Sequence, residues 1–324
     1  MRPAEVALDG LEDGEGPCSR YRTCMPIAFA VDPAQRLSEG DELDLVRRAA
    51  DMGYASAWTP SGPDAAAFDR CIRWHVASRL PVGISVVPAS DAPAVFYAEH
   101  ARRAWEETSG HFTLGVGSGR MQHAAEGMRR YLRELRERLP PELPVYVAAL
   151  GPLMLDVAGE MADGAALNWS TPEQVAWSRR RVEAAARGAG RPMPVIVGYI
   201  RTAVDPEPDV ARSVVGRAVR GYALGPGAYR RHFERMGFGE ELRRVAAAAD
   251  PAAPARSSKP EEADWSAEFL SATSAWGRPG EVRVQVERLS TGLDLPIVRV
   301  LVARPGDAAS ARLVLEECAP AGAA

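Results

Sequence analysis

The sequence predicts an α/β fold, a (β/α)8 TIM barrel of parallel strands, and three observations support it. Short apolar runs rich in Val, Ile and Ala alternate with amphipathic helical segments from about residue 25 onward. Eight such runs are nearly continuous in their apolar character, which is typical of strands covered on both faces. Eight strand–helix units in roughly 300 residues match the size of this barrel. A doubly wound open sheet is the alternative, but the Gly cluster follows the fourth strand instead of the first.

Four strand–helix units occupy the first half of the chain. The predicted strands are 25–31, 56–59, 81–88 and 112–116, and the predicted helices are 38–52, 64–78, 92–109 and 121–139. Ser38 suits the N-terminus of the first helix, and Gly53 suits its C-terminus. Glu134 and Arg138 lie four residues apart, a spacing that favours an ion pair on one face of the fourth helix.

The second half continues this alternation. The predicted strands are 144–149, 164–168, 194–202 and 296–303, and the predicted helices are 153–161, 172–188, 208–221 and 279–291. A less regular stretch precedes the last helix. Within it, residues 246–265 are rich in Ala, Pro and charge and predict a mobile excursion near the mouth of the barrel. We therefore expect an irregular segment at 1–24 and a single barrel domain at 25–324.

Composition limits the expected partners. The 324 residues are 46% hydrophobic and 25% charged, so the chain can bury a large core. The net charge of -4 supplies no positive field for a nucleic-acid backbone or an anionic lipid surface, so we expect neither partner. The sequence has no apolar signal-peptide core and no run of about 18 apolar residues, from which we expect a cytoplasmic protein.

Cysteine and histidine patterns argue against metal and hydrolytic chemistry. Cys18, Cys24, Cys71 and Cys318 form no CxxC motif and no Cys/His ligand spacing, which indicates a reducing compartment without structural zinc. The histidines form no HExxH motif, and GxSxG is absent. We therefore expect neither a metal site nor a Ser-His-Asp triad.

A Gly-rich turn after the fourth strand is a candidate anion site. In the string GVGSGR, Gly117, Ser118 and Gly119 would let backbone N–H groups approach an oxyanion at a helix N-terminus, and Arg120 would add a charge. The string AALGP at 148–152 ends the next strand, which lies beside the first in a barrel. Tight turns without a ligand, the second one starting a helix at its proline, are the alternative.

Two long blocks carry a more specific signal. Residues 82–119 read VGISVVPASDAPAVFYAEHARRAWEETSGHFTLGVGSG, and residues 144–175 read PVYVAALGPLMLDVAGEMADGAALNWSTPEQV. Shorter stretches at 229–239 and 276–302 agree with them. Over about residues 25–303, the sequence resembles the luciferase-like monooxygenase superfamily, and particularly its branch of deazaflavin (coenzyme F420)-dependent oxidoreductases.

The resemblance implies a luciferase-like barrel that binds coenzyme F420 or FMN, with the cofactor phosphate near the ends of strands four and five. Gly117, Ser118 and Gly119 would be backbone donors to that phosphate, with Leu150 and Gly151 opposite them. Members of the superfamily commonly form dimers, so the resemblance also implies a homodimer that acts on a small molecule.

On strand three, the resemblance implies a bulge that backs the isoalloxazine-type ring. The family has a non-prolyl cis peptide in this bulge, and the matching dipeptide is Ser85-Val86. Nothing local forces the cis isomer, so a plain trans strand stays open.

The loop after strand two departs from the family pattern. Many deazaflavin-dependent members carry an Asp-His or Glu-His pair there, which contacts the ring and moves a proton, whereas residues 59–64 read TPSGPD. No catalytic residue is therefore assigned. Asp32, after strand one, is either a site carboxylate or the acid of a loop that leads into a helix. The segment between strands four and five is shorter than the family's usual extension.

Polar residues near the ends of strands six and seven are candidates to face a substrate. They are Asn168, Trp169, Tyr199 and Arg201, and His232 lies on a following helix. Trp169 would stack on a ring or seal the barrel rim. Arg201 would bind a carboxylate or the acidic tail of the cofactor, or it is a strand-end arginine on the surface.

Together these features predict an enzyme that transfers a hydride between coenzyme F420 and an organic substrate. One alternative is an FMN-dependent monooxygenase, in which dioxygen reacts with the bound reduced flavin. The other is a catalytically degenerate barrel that binds a cofactor or a partner, which the TPSGPD loop suggests. Substrate specificity would lie in segments such as 224–239 and 246–265.

Overall fold

Parallel strands close into a barrel, as the sequence predicts. The computed structural model describes residues 25–61, 64–225, 227–248 and 265–320. Within these residues the strands are β1 (Ala28–Ala30), β2 (Ala57–Thr59), β3 (Val82–Pro88), β4 (Phe112–Gly117), β5 (Val145–Ala148), β6 (Gly164–Asn168), β7 (Val195–Val204), β8 (Ser274–Gly277) and β9 (Leu295–Val300). β1 to β7 pair in sequence order, β7 also pairs with β9, and β9 pairs with β1, so the circle is complete without β8.

Helices follow the strands and cover the outside of the barrel. They are α1 (Glu39–Asp51), α2 (Ala66–Ser78), α3 (Ala94–Glu107), α4 (Ala124–Arg136), α5 (Pro152–Met161), α6 (Pro172–Gly188), α7 (Pro208–Ala223), α8 (Gly227–Arg235), α9 (Gly239–Ala248), α10 (Ala267–Thr273), α11 (Arg283–Leu289) and α12 (Ala308–Glu317). Ser38 caps α1 as predicted, because its Oγ accepts the Asp41 N–H at 3.1 Å. Gly53 follows that helix with a φ of +77°, a conformation that favours glycine.

The sequence prediction is wrong in the stretch between the seventh and the last barrel strands. That stretch contains α8, α9, α10 and the extra strand β8, which pairs with β7 at 201–204, beyond the end of β6. The helix predicted at 121–139 begins later, because residues 118–123 form a turn in which the Met121 N–H donates to the Ser118 carbonyl at 3.1 Å. The helix α12 is absent from the prediction. The expectations for 1–24 and 249–264 lie outside the described residues.

Two aromatic rings fill the inside of the barrel. Trp58 on β2 and Tyr146 on β5 stack with their ring centroids 5.9 Å apart. Two glycines make room for them, since a Cβ at Gly83 would lie 2.5 Å from the Trp58 ring and a Cβ at Gly164 would lie 2.5 Å from the Tyr146 ring. Because both glycines stand near the N-terminal ends of their strands, the stacked rings close the barrel on that side.

The strand β3 carries a bulge that two glycines of β4 accommodate. The register between these strands shifts between Ile84 and Val87. A Cβ at Gly117 would lie 2.7 Å from Val86 Cγ2, and one at Gly115 would collide with the Ile84 carbonyl oxygen. Therefore β4 has no side chains where the bulge approaches it.

A second apolar cluster lies outside the barrel and holds α8 in place. Trp265 and Phe233 both pack against Phe269 of α10, with ring centroids 4.9 Å and 5.3 Å away. The cluster also includes apolar residues of α7 and α9. This packing positions α8 at the C-terminal ends of the strands.

Buried thiols belong to the apolar core. Cys71 and Cys318 are buried and form no disulfide. Burial raises the pKa of both thiols, to about 12 for Cys318, so both side chains pack as small apolar groups. In the described parts of the chain, the helices are too short or too polar to cross a bilayer.

Replacing Gly115 by Ala should destabilise the fold, because the new Cβ would collide with backbone that cannot move without disturbing the β3 bulge. We expect a loss of about 1–3 kcal/mol in the free energy of unfolding, the usual range for overpacking. Gly221→Ala is the matched control, because a Cβ there meets nothing within 4 Å and the residue lies inside α7. It should stabilise the protein by about 0.5–1 kcal/mol. Urea denaturation followed by Trp fluorescence measures both, and similar midpoints for the two variants would contradict this role of Gly115.

Candidate functional site

A large cleft opens at the C-terminal ends of the barrel strands. Its volume is about 1260 Å³. Its walls come from the ends of β3 to β7, from the turns that follow β4 and β5, and from α8. Active sites of this type of barrel lie at the same end. The residues singled out from the sequence that line the cleft are Ser85, Val86, Gly117, Ser118, Gly119, Arg120, Leu150, Gly151, Asn168 and Tyr199.

Ser85 and Val86 stand in one wall of the cleft, within the β3 bulge. The peptide bond between them is cis, as the resemblance implies. The Val86 side chain occupies the space over Gly117, so packing inside the protein accounts for that glycine. Gly119 has a left-handed φ of +57°, and a side chain there would collide with Ser90. The fold alone therefore explains both glycines of the turn.

Unpaired backbone N–H groups border the cleft at two adjacent strand ends. Within the described residues, the N–H groups of Ser118 and Gly119, after β4, donate no hydrogen bond. The same is true of Leu150 and Gly151, after β5, and of Leu153 in the first turn of α5, a helix without a capping side chain. Unpaired donors at a helix N-terminus form an anion-binding surface. We call these five residues the N–H cluster.

Two arginines of α8 lie at the same end of the cleft. The Arg235 guanidinium donates to the Leu150 carbonyl at 3.2 Å and lies 5.0 Å from the Trp177 ring. Burial, and then the neighbouring Arg231, lower the pKa of Arg235. Neither arginine forms an ion pair with a described residue. The other arginines here are paired, Arg120 with Asp91 at 3.3 Å and Arg129 with Glu160 at 2.6 Å. Arg231 and Arg235 thus add positive charge that no described acid balances.

A buried hydrogen-bond network forms the inner end of the cleft. The Arg201 side chain is 2% exposed, and its guanidinium donates to Asn168 Oδ1 and to the Tyr222 hydroxyl, the latter at 3.0 Å. Asn168 in turn donates from Nδ2 to the Tyr229 hydroxyl at 2.7 Å. The same guanidinium stacks 4.1 Å from the centroid of the Trp169 ring. The alternative that places Arg201 on the surface is therefore wrong.

Asp32 joins this inner end through an ion pair with Arg299 of β9. Its carboxylate also accepts the Ala34 N–H at 2.9 Å and so starts a short 3-10 helix. Burial alone would raise the pKa of Asp32, but the Arg299 guanidinium and the Ala34 N–H together hold it below the usual value. Arg299 lines the cleft, and its guanidinium lies 5.1 Å from the Tyr199 ring. Asp32 therefore both leads into a helix and neutralises a buried cation.

Trp169 lies behind the cleft wall in the second apolar cluster. Its side chain is fully buried, and its φ is +51°. Its carbonyl oxygen lies 2.9 Å from His232 Nε2, so that ring nitrogen carries the proton and donates. Burial lowers the pKa of His232 to about 4, so the imidazole is neutral at pH 7. Trp169 therefore packs at the rim of the barrel, the second of the two roles considered for it. The hydrogen bond from His232 fixes the backbone of Trp169 there.

The loop after β2 reaches the cleft with Pro60 and Ser61. Of the described residues that line the cleft, His123 is the only histidine, and it lies at the start of α4. No group of three His, Cys, Asp or Glu side chains suited to a metal occurs among the described residues. The acidic residue in the described part of this loop is Asp64, which accepts the Ala66 N–H at 3.2 Å and does not line the cleft.

Sequence analysis missed several residues of the cleft. Tyr222 and Tyr229 lie at the end of α7 and on α8, next to or within the stretch predicted to be less regular. Arg299 did carry a signal, because a charged residue inside the apolar run PIVRVLVA must be paired when it is buried. Asp32 follows β1, which pairs with the strand of Arg299, so the sequence offered it as the acid that pairs with this arginine.

Replacing Asp32 by Asn should cost about 3–5 kcal/mol in the free energy of unfolding at pH 7, because it leaves Arg299 buried without its acid. Asp32 has a lowered pKa in the folded state, so its contribution is present above the unfolded value of 3.8 and is lost as the pH falls through the folded value. The stability difference between wild type and variant should therefore shrink below about pH 3.8. Urea denaturation at pH 7 and at pH 3 measures it.

The exposed pair between Glu183 and Arg187 provides the control for this prediction. Their carboxylate and guanidinium lie 2.6 Å apart on the surface of α6. Glu183→Gln should leave stability almost unchanged, because exposed ion pairs contribute little. Equal effects of Asp32→Asn and Glu183→Gln would contradict the importance of the buried pair.

Comparisons with known proteins concern the family and the fold of the chain. The luciferase-like monooxygenase family profile matches residues 124–294, more than half of the chain. A segment of 76 residues is 33% identical to the 5,10-methylenetetrahydromethanopterin reductase of Archaeoglobus fulgidus and covers 23% of each protein. A segment of 72 residues is 36% identical to the enzyme of that name from Methanopyrus kandleri and covers 22% of this chain and 21% of that one. The chain thus matches less than a quarter of the length of these relatives.

Solved structures share the whole barrel at low sequence identity. The coenzyme F420-dependent tetrahydromethanopterin reductase from Methanopyrus kandleri has a TM-score of 0.68 and 19% identity, over 90% of this chain and 98% of that one. An F420-dependent secondary alcohol dehydrogenase, solved with an F420–acetone adduct, has a TM-score of 0.66 and 14% identity over the same shares. A type II Baeyer–Villiger monooxygenase from Pseudomonas putida, solved with FMN, has a TM-score of 0.61 and 12% identity over 91% of this chain and 98% of that one.

These structural matches show the fold, and the family match extends over β5, β6, β7 and β8, with the turns between them. The cleft lies where the sequence blocks and the barrel geometry place it, at the C-terminal ends of the strands. The chain belongs to the luciferase-like monooxygenase family.

Proposed function

We propose that the protein is an oxidoreductase that binds coenzyme F420 in the cleft and transfers a hydride between it and a small organic substrate. The observation that carries this proposal is the N–H cluster, with Arg231 and Arg235 at the same end of a cleft of about 1260 Å³. Two structural neighbours are named as F420-dependent, which supports the choice of cofactor.

The N–H cluster fits a phosphate group. The helix α5 spans Pro152–Met161 and has no capping side chain, so its N-terminal dipole and N–H groups are available to an anion. Arg235 is close by, because a Cβ at Gly151 would lie 3.7 Å from its Nη2 atom. A phosphate there would accept backbone N–H bonds and a charge-assisted bond together.

The wall between the two polar ends of the cleft fits a planar ring. Val86, Ala148 and Ala166 line the cleft and give it an apolar surface. Burial of an aromatic ring against such a surface stabilises the complex by roughly 25 cal/mol per Å² of apolar area. A reduced deazaflavin supplies a hydride when it is bound. The chain's own task is to hold the ring and to exclude water from it.

A fluorescence titration with coenzyme F420, and then with FMN, tests the proposal. We expect micromolar binding of F420, and Arg235→Gln should weaken it about tenfold or more, because a hydrogen bond to a charged group contributes about 1.5–3 kcal/mol. Arg187→Gln is the matched control, since Arg187 pairs with Glu183 on the surface of α6 and does not line the cleft. Gly117 is unsuitable for this test, because a side chain there would collide with Val86 and disturb the fold.

The outcomes separate the alternatives. Tighter binding of FMN than of F420 would favour an FMN-dependent monooxygenase. Binding of neither cofactor would contradict the proposal and favour a barrel without flavin chemistry. Equal F420 affinities of wild type and Arg235→Gln would contradict the placement of the phosphate.

A further inference from the structure

The network at the inner end of the cleft holds more positive than negative charge. Arg201 and Arg299 are both buried, and the carboxylate of Asp32 pairs with Arg299. Arg201 forms no ion pair with a described residue, since its guanidinium donates to the neutral groups of Asn168 and Tyr222. A buried cation without a counter-ion is costly, so this end of the cleft favours a negative ligand.

The hydroxyl groups of Tyr222 and Tyr229 connect this buried positive charge to the cleft. The Tyr222 hydroxyl accepts a hydrogen bond from Arg201, and the Tyr229 hydroxyl accepts one from Asn168. A hydroxyl that accepts a bond still has its own proton to donate, and neither hydroxyl donates to a described group. Both residues line the cleft, and their ring centroids are 4.7 Å apart.

A third polar group in the same place lacks a partner. The Nε atom of Arg299 is buried and has no hydrogen-bond partner among the described residues. Buried donors in folded proteins are nearly always paired, so this unpaired donor adds to the excess of positive groups at the inner end of the cleft. Arg299 itself lines the cleft.

We propose that the inner end of the cleft binds a carboxylate group of the substrate, which accepts hydrogen bonds from the Tyr222 and Tyr229 hydroxyls in front of Arg201. This proposal rests on the proposed function, because it names the substrate class for the same cleft. A carboxylate has two acceptor oxygens and a single charge, which match two donors and one unbalanced cation. A neutral carbonyl would leave Arg201 unbalanced, and a phosphate would bring up to two negative charges.

Electrostatics within the network agree with this assignment. Burial, and then the charge of Arg299, lower the pKa of Arg201 to about 10. Burial alone would raise the pKa of Tyr222, but Arg201 and Arg299 bring it below the usual value. The other titratable groups that face Arg201 and Tyr222 are Asp32, Tyr199 and Tyr229. A bound carboxylate would raise the pKa of Arg201 and so stabilise the folded state at neutral pH.

The test uses benzoate as the probe and benzamide, its neutral analogue of the same shape, as the control ligand. Calorimetric titration of the protein without cofactor should show binding of benzoate at least tenfold tighter than of benzamide. Benzoate should also raise the melting temperature. Its affinity should fall as the pH rises towards 10, because the Tyr222 hydroxyl, whose pKa lies below its usual value of 10, loses the proton it donates, and Arg201 then loses its charge.

Variants locate the binding site. Tyr222→Phe and Tyr229→Phe should each weaken benzoate binding about tenfold, with little effect on F420 affinity. Tyr131→Phe is the matched control, because the Tyr131 hydroxyl bonds to the Ala92 carbonyl at 3.1 Å and Tyr131 does not line the cleft. Circular dichroism of each variant checks that it is folded.

The outcomes distinguish this proposal from the proposed function. If the Tyr222→Phe and Tyr229→Phe proteins are folded and still bind benzoate with the affinity of the wild type, the proposed carboxylate site is wrong. Equal binding of benzoate and benzamide, or binding of neither, would also overturn it. Benzoate binding that depends on both tyrosines in a protein that binds neither F420 nor FMN would support the carboxylate site while the proposed function fails.

Discussion

The cleft depends on the packing of Val86 into the space that Gly115 and Gly117 leave on the neighbouring strand. Side chains of a regular strand alternate between its two faces, and the bulge in β3 interrupts that alternation. Only a strand without side chains at these positions can accept the bulge. As a result, Ser85 and Val86 stand in the wall of the cleft, and the strand ends on either side keep their regular pairing.

Charge is distributed unevenly around this cleft. At its outer end, backbone N–H groups and the arginines of α8 form an electropositive surface that water can reach. At its inner end, Arg201 is buried and hydrogen-bonded to neutral groups, and Asp32, which also attracts Arg201, forms its ion pair with Arg299. An anion therefore meets a solvated site at one end and a desolvated site at the other, where each interaction is stronger and more selective.

The barrel could be predicted because its strands are continuous apolar runs, and β6 has the predicted bounds. The outer half of the cleft could also be predicted, since Gly and Pro mark the turns after β4 and β5. The inner half could be predicted in part, since Asn168 and Arg201 are candidates from the sequence, but Tyr222 could not, because its contact with Arg201 joins a helix to a strand by tertiary packing alone. The reason for a glycine at position 117 could not be predicted either. The side chain that occupies the space beside it belongs to Val86, which lies on another strand.

The stacked rings of Trp58 and Tyr146 separate two uses of glycine in the barrel. They fill its N-terminal side, whereas the cleft opens at the C-terminal ends of the strands. Gly83 and Gly164, which make room for the rings, do not line the cleft, whereas Gly117, Gly119 and Gly151 do. At one end of the barrel, glycine makes room for aromatic side chains, and at the other end it leaves backbone open to the cleft.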